Sequence, residues 1–223
     1  MVLHPATAYA QWSGSVAALS EYRYRGNALS EGKPSVQAGV AYDAGGWYAG
    51  GFAAGTRWYG RRGAQWLLYA GRAGRLANGM SWDAGISTVR TTNGAYGGYN
   101  EVYTGLWRGG AAGSMSARLS WSPRYAGGDA RTLYAELDAG TAVSDRIDAF
   151  FHAGLLHALS GPRVPQRADV RVGLSARVGE FGVQVAYDRN NHRGGYAVSY
   201  PGYYGYTAPP SRDAVIVSVS RGF

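Results

Sequence analysis

The stretch Asp213-Ala214-Val215-Ile216-Val217-Ser218-Val219-Ser220-Arg221-Gly222-Phe223, an alternating strand closing on an aromatic residue, decides the fold. In a strand, successive side chains point to opposite faces, so Val215, Val217, Val219 and Phe223 share one face. Ala214, Ser218, Ser220 and Gly222 share the other, with Ile216 as its one large apolar member. Valines on one side and small polar residues on the other suit a strand with lipid outside and a wet lumen inside. An edge strand of a soluble sheet would also fit this stretch; the rest of the chain separates the two.

Composition points the same way. The 223 residues include 35 Gly, 18 Tyr and 7 Trp, which suits curved strands and amphipathic rings at a water boundary better than a globular core rich in Leu, Ile and Met. No apolar run approaches the roughly 20 residues of a spanning helix, whereas a barrel strand needs only about 10 alternating ones. The absence of cysteine fits passage through an oxidising periplasm. No signal peptide is visible at Met1 to Ala10, so the sequence reads as a mature form with an added initiator methionine. The net charge is +8, and of 22 basic residues only Lys33 is lysine. The arginines are spread along the chain rather than clustered, which argues against a nucleic-acid partner.

Twelve segments have strand character: about 9–25, 34–43, 46–56, 64–76, 79–91, 98–108, 111–124, 131–142, 146–158, 168–178, 181–190 and 212–223. The even number is the one bacterial barrels use. Alternate connections are tight: Ala44-Gly45, Ala77-Asn78, Gly109-Gly110, Val143-Ser144-Asp145 and Gly179-Glu180. The others read as longer and polar or Tyr-rich, such as Ser160 to Arg167 and Asn191 to Ser211. The predicted fold is therefore all-β: a transmembrane antiparallel up-and-down barrel of about twelve strands. It forms one domain over residues 1–223, with 1–8 as an N-terminal tail and the long loops outside the cell.

Faces are clearest in five segments. Trp12, Val16, Ala18, Tyr22 and Tyr24 oppose Ser13, Ser15, Glu21, Arg23 and Arg25; Met80, Trp82, Ala84 and Ile86 oppose Ser81, Asp83, Gly85 and Ser87. Met115, Ala117, Leu119 and Trp121 oppose Ser114, Ser116, Arg118 and Ser120. Val170, Val172, Leu174, Ala176 and Val178 oppose Asp169, Arg171, Gly173, Ser175 and Arg177, and Phe181, Val183, Val185 and Tyr187 oppose Gly182, Gln184, Ala186 and Asp188. The third and fourth segments, with Trp47, Tyr48, Phe52, Trp66, Leu67, Leu68 and Tyr69 in both parities, declare no face. Trp12, Tyr24, Tyr42, Trp47, Trp121 and Tyr187 stand near segment ends, where interfacial girdles form. A soluble barrel that buries its apolar face inward leaves the charged face unexplained, because unpaired charges in a dry cavity cost several kcal/mol each.

The stretch Ser20-Glu21-Tyr22-Arg23-Tyr24-Arg25-Gly26, followed by Ser30, Lys33-Pro34 and Gln37 to Gly39, resembles the opening of the TorF-type porins, the Gcw_chp domain family. Gly46-Trp47-Tyr48-Ala49-Gly50, Tyr99-Asn100-Glu101-Val102-Tyr103 and Leu133-Tyr134-Ala135-Glu136 extend the resemblance along nearly the whole chain. It implies an outer-membrane, porin-like protein of a Gram-negative bacterium, and it implies no catalytic residues.

Chemistry is then sought on the inward positions. Glu21, Arg23, Arg25, Asp83, Arg118, Glu136, Asp138, Asp148, Asp169, Arg171, Arg177 and Asp188 are the expected pore-lining charges. Rows of Arg facing carboxylates let polar solutes exchange hydrogen bonds along a narrow pore. The excess of Arg, above all Arg23 and Arg25, predicts a modest preference for anions. The opposing reading is that these charges pair across strands and plug the lumen.

A hydrolase reading needs a serine and a histidine within hydrogen-bond reach and an orienting third group. His4 falls in the tail, His192 in a long loop, His157 on the outward parity near the outer rim, and His152 four residues from Asp148; no such constellation is legible. No spacing of His and carboxylates suits a metal, and neither a cofactor nor an enzymatic activity is expected. Two function classes remain. One is passive diffusion of small polar or anionic solutes; the other is a closed barrel that binds partners through its loops, with Tyr196, Tyr200, Tyr203, Tyr204 and Tyr206 as its surface. Expected partners are outer-membrane lipid and lipopolysaccharide, small polar solutes, and the barrel assembly machinery, which reads Phe223 as its signal.

Overall fold

A computed structural model describes residues 11–92, 98–111, 113–161, 166–191 and 213–223. Its strands are β1 (Gln11–Leu19), β2 (Arg23–Tyr24), β3 (Asn27–Ala28), β4 (Ser35–Ala44), β5 (Trp47–Trp58), β6 (Arg61–Arg75) and β7 (Ser81–Thr91). They continue as β8 (Tyr99–Gly110), β9 (Gly113–Ser122), β10 (Arg131–Ser144), β11 (Ile147–Ser160), β12 (Arg167–Val178), β13 (Phe181–Asn190) and β14 (Asp213–Gly222). Twelve of them close one antiparallel barrel, while β2 and β3 form a separate small hairpin. The seam joins β14 to β1, with Ser15 opposite Gly222 and Leu19 opposite Ser218. Beyond it, the backbones of Gly14 and Phe223 exchange both hydrogen bonds, at 2.9 and 3.0 Å.

Register and alternation together sort the side chains. Val36, Leu68, Ile86, Met115, Leu174 and Val215 stand exposed on the outer wall, whereas Gln65, Glu101, Ser120, Thr132 and Asp188 are buried inside. Such a distribution is inverted relative to a soluble barrel and matches one with lipid outside. Among the described residues, no helix is long and apolar enough to cross a membrane; the strands carry the apolar belt.

The two undeclared segments resolve through their partners. Trp47, Trp66 and Leu68 point out, while Tyr48, Phe52, Leu67 and Tyr69 point in, with Phe52 opposite Leu67 and Gly50 opposite Tyr69. The inward tyrosines lie over cross-strand glycines: a Cβ at Gly50 would strike the Tyr69 phenol, one at Gly71 that of Tyr48, and one at Gly85 that of Tyr103. Each ring thus lies along the wall, which is why Gly and Tyr are abundant together.

Three expectations need correction. The first segment does not run to residue 25: β1 stops at Leu19, and the chain turns inward. Tyr22 and Tyr24 therefore lie inside the barrel, Tyr22 only 4% exposed, and Tyr24 is no girdle residue. The connection after β5 is a two-residue turn, Tyr59-Gly60, because both residues adopt positive φ (48° and 74°), the geometry of the tightest hairpins. Trp12 and Tyr42, by contrast, stand on the outer wall with ring centroids 4.9 Å apart, as a girdle requires. The expected tail, His4, His192 and the Tyr196 to Tyr206 loop lie outside the described residues.

Candidate functional site: the lumen and its strap

Residues 20–34, which link β1 to β4, cross the outer half of the lumen as a strap. Their inward hairpin depends on Arg25 and Gly26, with φ of 50° and 71° between the paired residues Tyr24 and Asn27. Gly26 has no alternative there, since a Cβ would also meet the Asp169 side chain. The Asn190 amide donates to the Gly26 carbonyl and fixes the tip to the wall.

The ionised groups Glu21, Arg23 and Arg25 of the strap are matched one by one. The Arg25 guanidinium donates both ends of its fork to Glu101, at 2.7 and 2.8 Å, and lies 4.2 Å from the Tyr134 ring centroid. Arg23 donates to Asp188 at 3.0 Å and to Glu21 at 3.2 Å, and Asp188 also accepts from Arg171 at 2.8 Å. The Tyr22 hydroxyl donates to Gln65 and its ring packs 6.1 Å from that of Phe52. Burial pushes the Tyr24 phenol up to about 12, so it stays neutral at physiological pH. The expected pore-lining residues Glu21, Arg23 and Arg25 are thus inside the lumen, but on a strap rather than a wall strand. Their charges are cancelled, which corrects the expectation of a local positive excess.

Below the strap the lumen leaves charged side chains accessible. Arg118 and Asp138 keep 44% and 51% of their side chains accessible. Arg118 donates to Asp83 at 3.0 Å, lies 4.0 Å from Glu136, and rests over the Tyr103 ring. Tyr48 donates to Asp83 at 2.9 Å and pairs with the Tyr103 hydroxyl at 2.8 Å. Asp148 faces the lumen opposite Ser175, and Arg177 opposite Gly182. Arg171, Asp169 and Asp188 lie higher on the same wall, so all nine wall charges among the expected pore-lining residues, from Asp83 to Asp188, share the lumen.

The arrangement also gathers residues that sequence reasoning did not. Glu101 sits inward on β8 beside Tyr99 and Tyr103, a parity legible in Tyr99-Asn100-Glu101-Val102-Tyr103, although its partner 76 residues earlier was not. His152 is held by Asp138 at 2.7 Å and by Asp169 at 3.2 Å, both from neighbouring strands, rather than by Asp148. With a carboxylate at each ring nitrogen, both can donate only in the imidazolium form. His157 is exposed on the outer wall beside Leu155, as its parity indicates. Among the described residues, no group of His, Cys, Asp and Glu could hold a metal ion.

Comparison with known proteins places this geometry. A family described as "Bacterial protein of unknown function (Gcw_chp)" matches residues 4–223. A solved structure of the KdgM porin in complex with disordered oligogalacturonate superposes with a TM-score of 0.57 at 10% identity, covering 95% of this chain and 98% of that one. A structure of the KdgM porin alone gives 0.57 at 9% identity with the same coverage. At such identity the likeness is one of fold: an outer-membrane barrel. No curated protein matches the sequence.

Proposed function

We propose that this chain, which belongs to the Gcw_chp family, is a narrow channel of a Gram-negative outer membrane through which small polar solutes diffuse. One observation carries the reading: the lumen below the strap exposes ionised side chains to water, with Arg118 and Asp138 half accessible, while the outer wall is apolar. A charged wall kept wet inside a closed barrel serves transit better than packing. Tyrosine hydroxyls, Arg118 and the carboxylates would exchange hydrogen bonds with a solute along the wall, and the strap would set the narrowest section. Preference among solutes follows from charge. The wet half carries Asp43, Asp83, Glu136, Asp138 and Asp148 against Arg118, Arg177 and the His152 imidazolium, with Arg75 at the inner rim, so anionic solutes gain no advantage there.

A second reading is favoured by the strap itself, whose buried ion pairs suit a plug in a closed barrel that acts through its loops. Planar-bilayer recordings separate the two. Ohmic steps from the wild type support the channel. A silent wild type, joined by conduction once residues 21–33 are replaced with a short Gly-Ser linker, supports the plug and overturns the channel.

A further inference from the structure

On the outer rim, where the strap returns to β4, a cavity of about 460 Å³ lies between Ser30, Lys33, Pro34 and Val36 on one side and Gly55, Thr56, Arg57 and Arg62 on the other. Arg57 and Arg62 are direct cross-strand partners on β5 and β6. Like charges placed opposite each other on adjacent strands destabilise the pair unless a counter-charge sits between them. Among the described residues, neither they nor Lys33 makes an ion pair. The nearby carboxylate of Glu31 is committed elsewhere, accepting the N–H groups of Tyr59 and Gly60 at 2.6 and 3.1 Å.

We propose that this cavity binds the phosphorylated headgroup of an outer-leaflet lipid. Three cations around one opening are the donor set for a phosphate, which accepts forked guanidinium bonds. The opening faces the lipid side, since Arg57 and Arg62 lie on the outward parity and Val36 is 68% exposed. Below it, Val40, Trp66 and Leu68 stand exposed on the belt and offer a track for acyl chains. Only the lipid as source of the phosphate rests on the membrane reading above.

The test uses the folded full chain in detergent micelles and native mass spectrometry. The probes are a bisphosphorylated lipid A, the same lipid with both phosphates removed, and inorganic pyrophosphate. The bisphosphorylated lipid should be retained at least tenfold more tightly than its dephosphorylated form. The triple variant K33Q/R57Q/R62Q should lose tenfold, and Arg62→Gln alone several-fold, while R131Q/R189Q elsewhere on the rim should bind as the wild type does. A heat-dependent gel shift certifies that each variant is folded, and Arg62→Gln carries the test if the triple variant is not. Equal retention of the dephosphorylated lipid, or equal loss in R131Q/R189Q, would overturn the site. Displacement of the lipid by equimolar pyrophosphate would overturn the lipid as its ligand. Conductance plays no part in this readout, so its failure and that of the channel are separate results.

Discussion

Arg25 shows what a single side chain does in this lumen. Its guanidinium is buried against Glu101 and Tyr134, and removing one member of a buried pair leaves an uncompensated charge at a cost of about 3–5 kcal/mol. Arg25→Ala should therefore loosen the strap within an intact barrel, exposing Glu31 to a glutamate-specific protease; unchanged resistance would place the strap's stability elsewhere. Phe223 acts at the seam. Its ring covers Gly14, which has no room for a Cβ, and its backbone pairs with the same residue. Phe223→Ala keeps the backbone pair, so it should lower assembly yield more than the urea stability of protein already folded. Comparing refolding yield with the unfolding midpoint checks this.

For the elements, alternation is the controlling fact. Leu174 is 51% exposed on the outer wall of β12, and Ser175 faces Asp148 inside. Leu174→Arg should cost about 2–4 kcal/mol near the midplane, whereas Ser175→Arg gains a carboxylate opposite and should be tolerated. Folding titrations in lipid vesicles measure both, and equal costs would mean that the register of β12 is wrong. The strap could be anticipated only in part. Arg25-Gly26 is a residue-glycine pair of the kind that makes tight turns, and so is Tyr59-Gly60; yet Tyr22, Arg23, Tyr24 and Arg25 keep the alternation of β1 and read as its continuation.

Across the whole molecule, a closed hydrogen-bonded barrel resists detergent, so the protein should run faster on SDS gels when cold than after boiling; identical mobility would exclude closure. Selectivity is also a property of the assembled lumen. With Arg23 and Arg25 neutralised by Asp188, Glu21 and Glu101, the wet half keeps a small excess of carboxylates, and at physiological salt a charge is felt only within about 8 Å. Reversal potentials in a salt gradient should indicate a weak cation preference, and Asp138→Asn with Asp83→Asn should reduce it. Anion preference in the wild type would return the arginines to the pathway.

By itself the sequence determined the twelve strands, the tight turns of one rim and the inward placement of the nine wall charges, because period-two alternation is local and is written residue by residue. It also determined that Asp213 to Phe223 is a wall strand, since Val215, Val217 and Val219 need no partner to declare their face. Only the tertiary structure decided that Glu21, Arg23 and Arg25 ride on a strap, that Glu101 receives Arg25, and that His152 lies between Asp138 and Asp169. The strap's pairings join residues up to 165 positions apart, as in Arg23 and Asp188, because closing the barrel folds the strap against walls distant in sequence, and the His152 pairings follow from the register of β11 against β10 and β12; no local pattern encodes either.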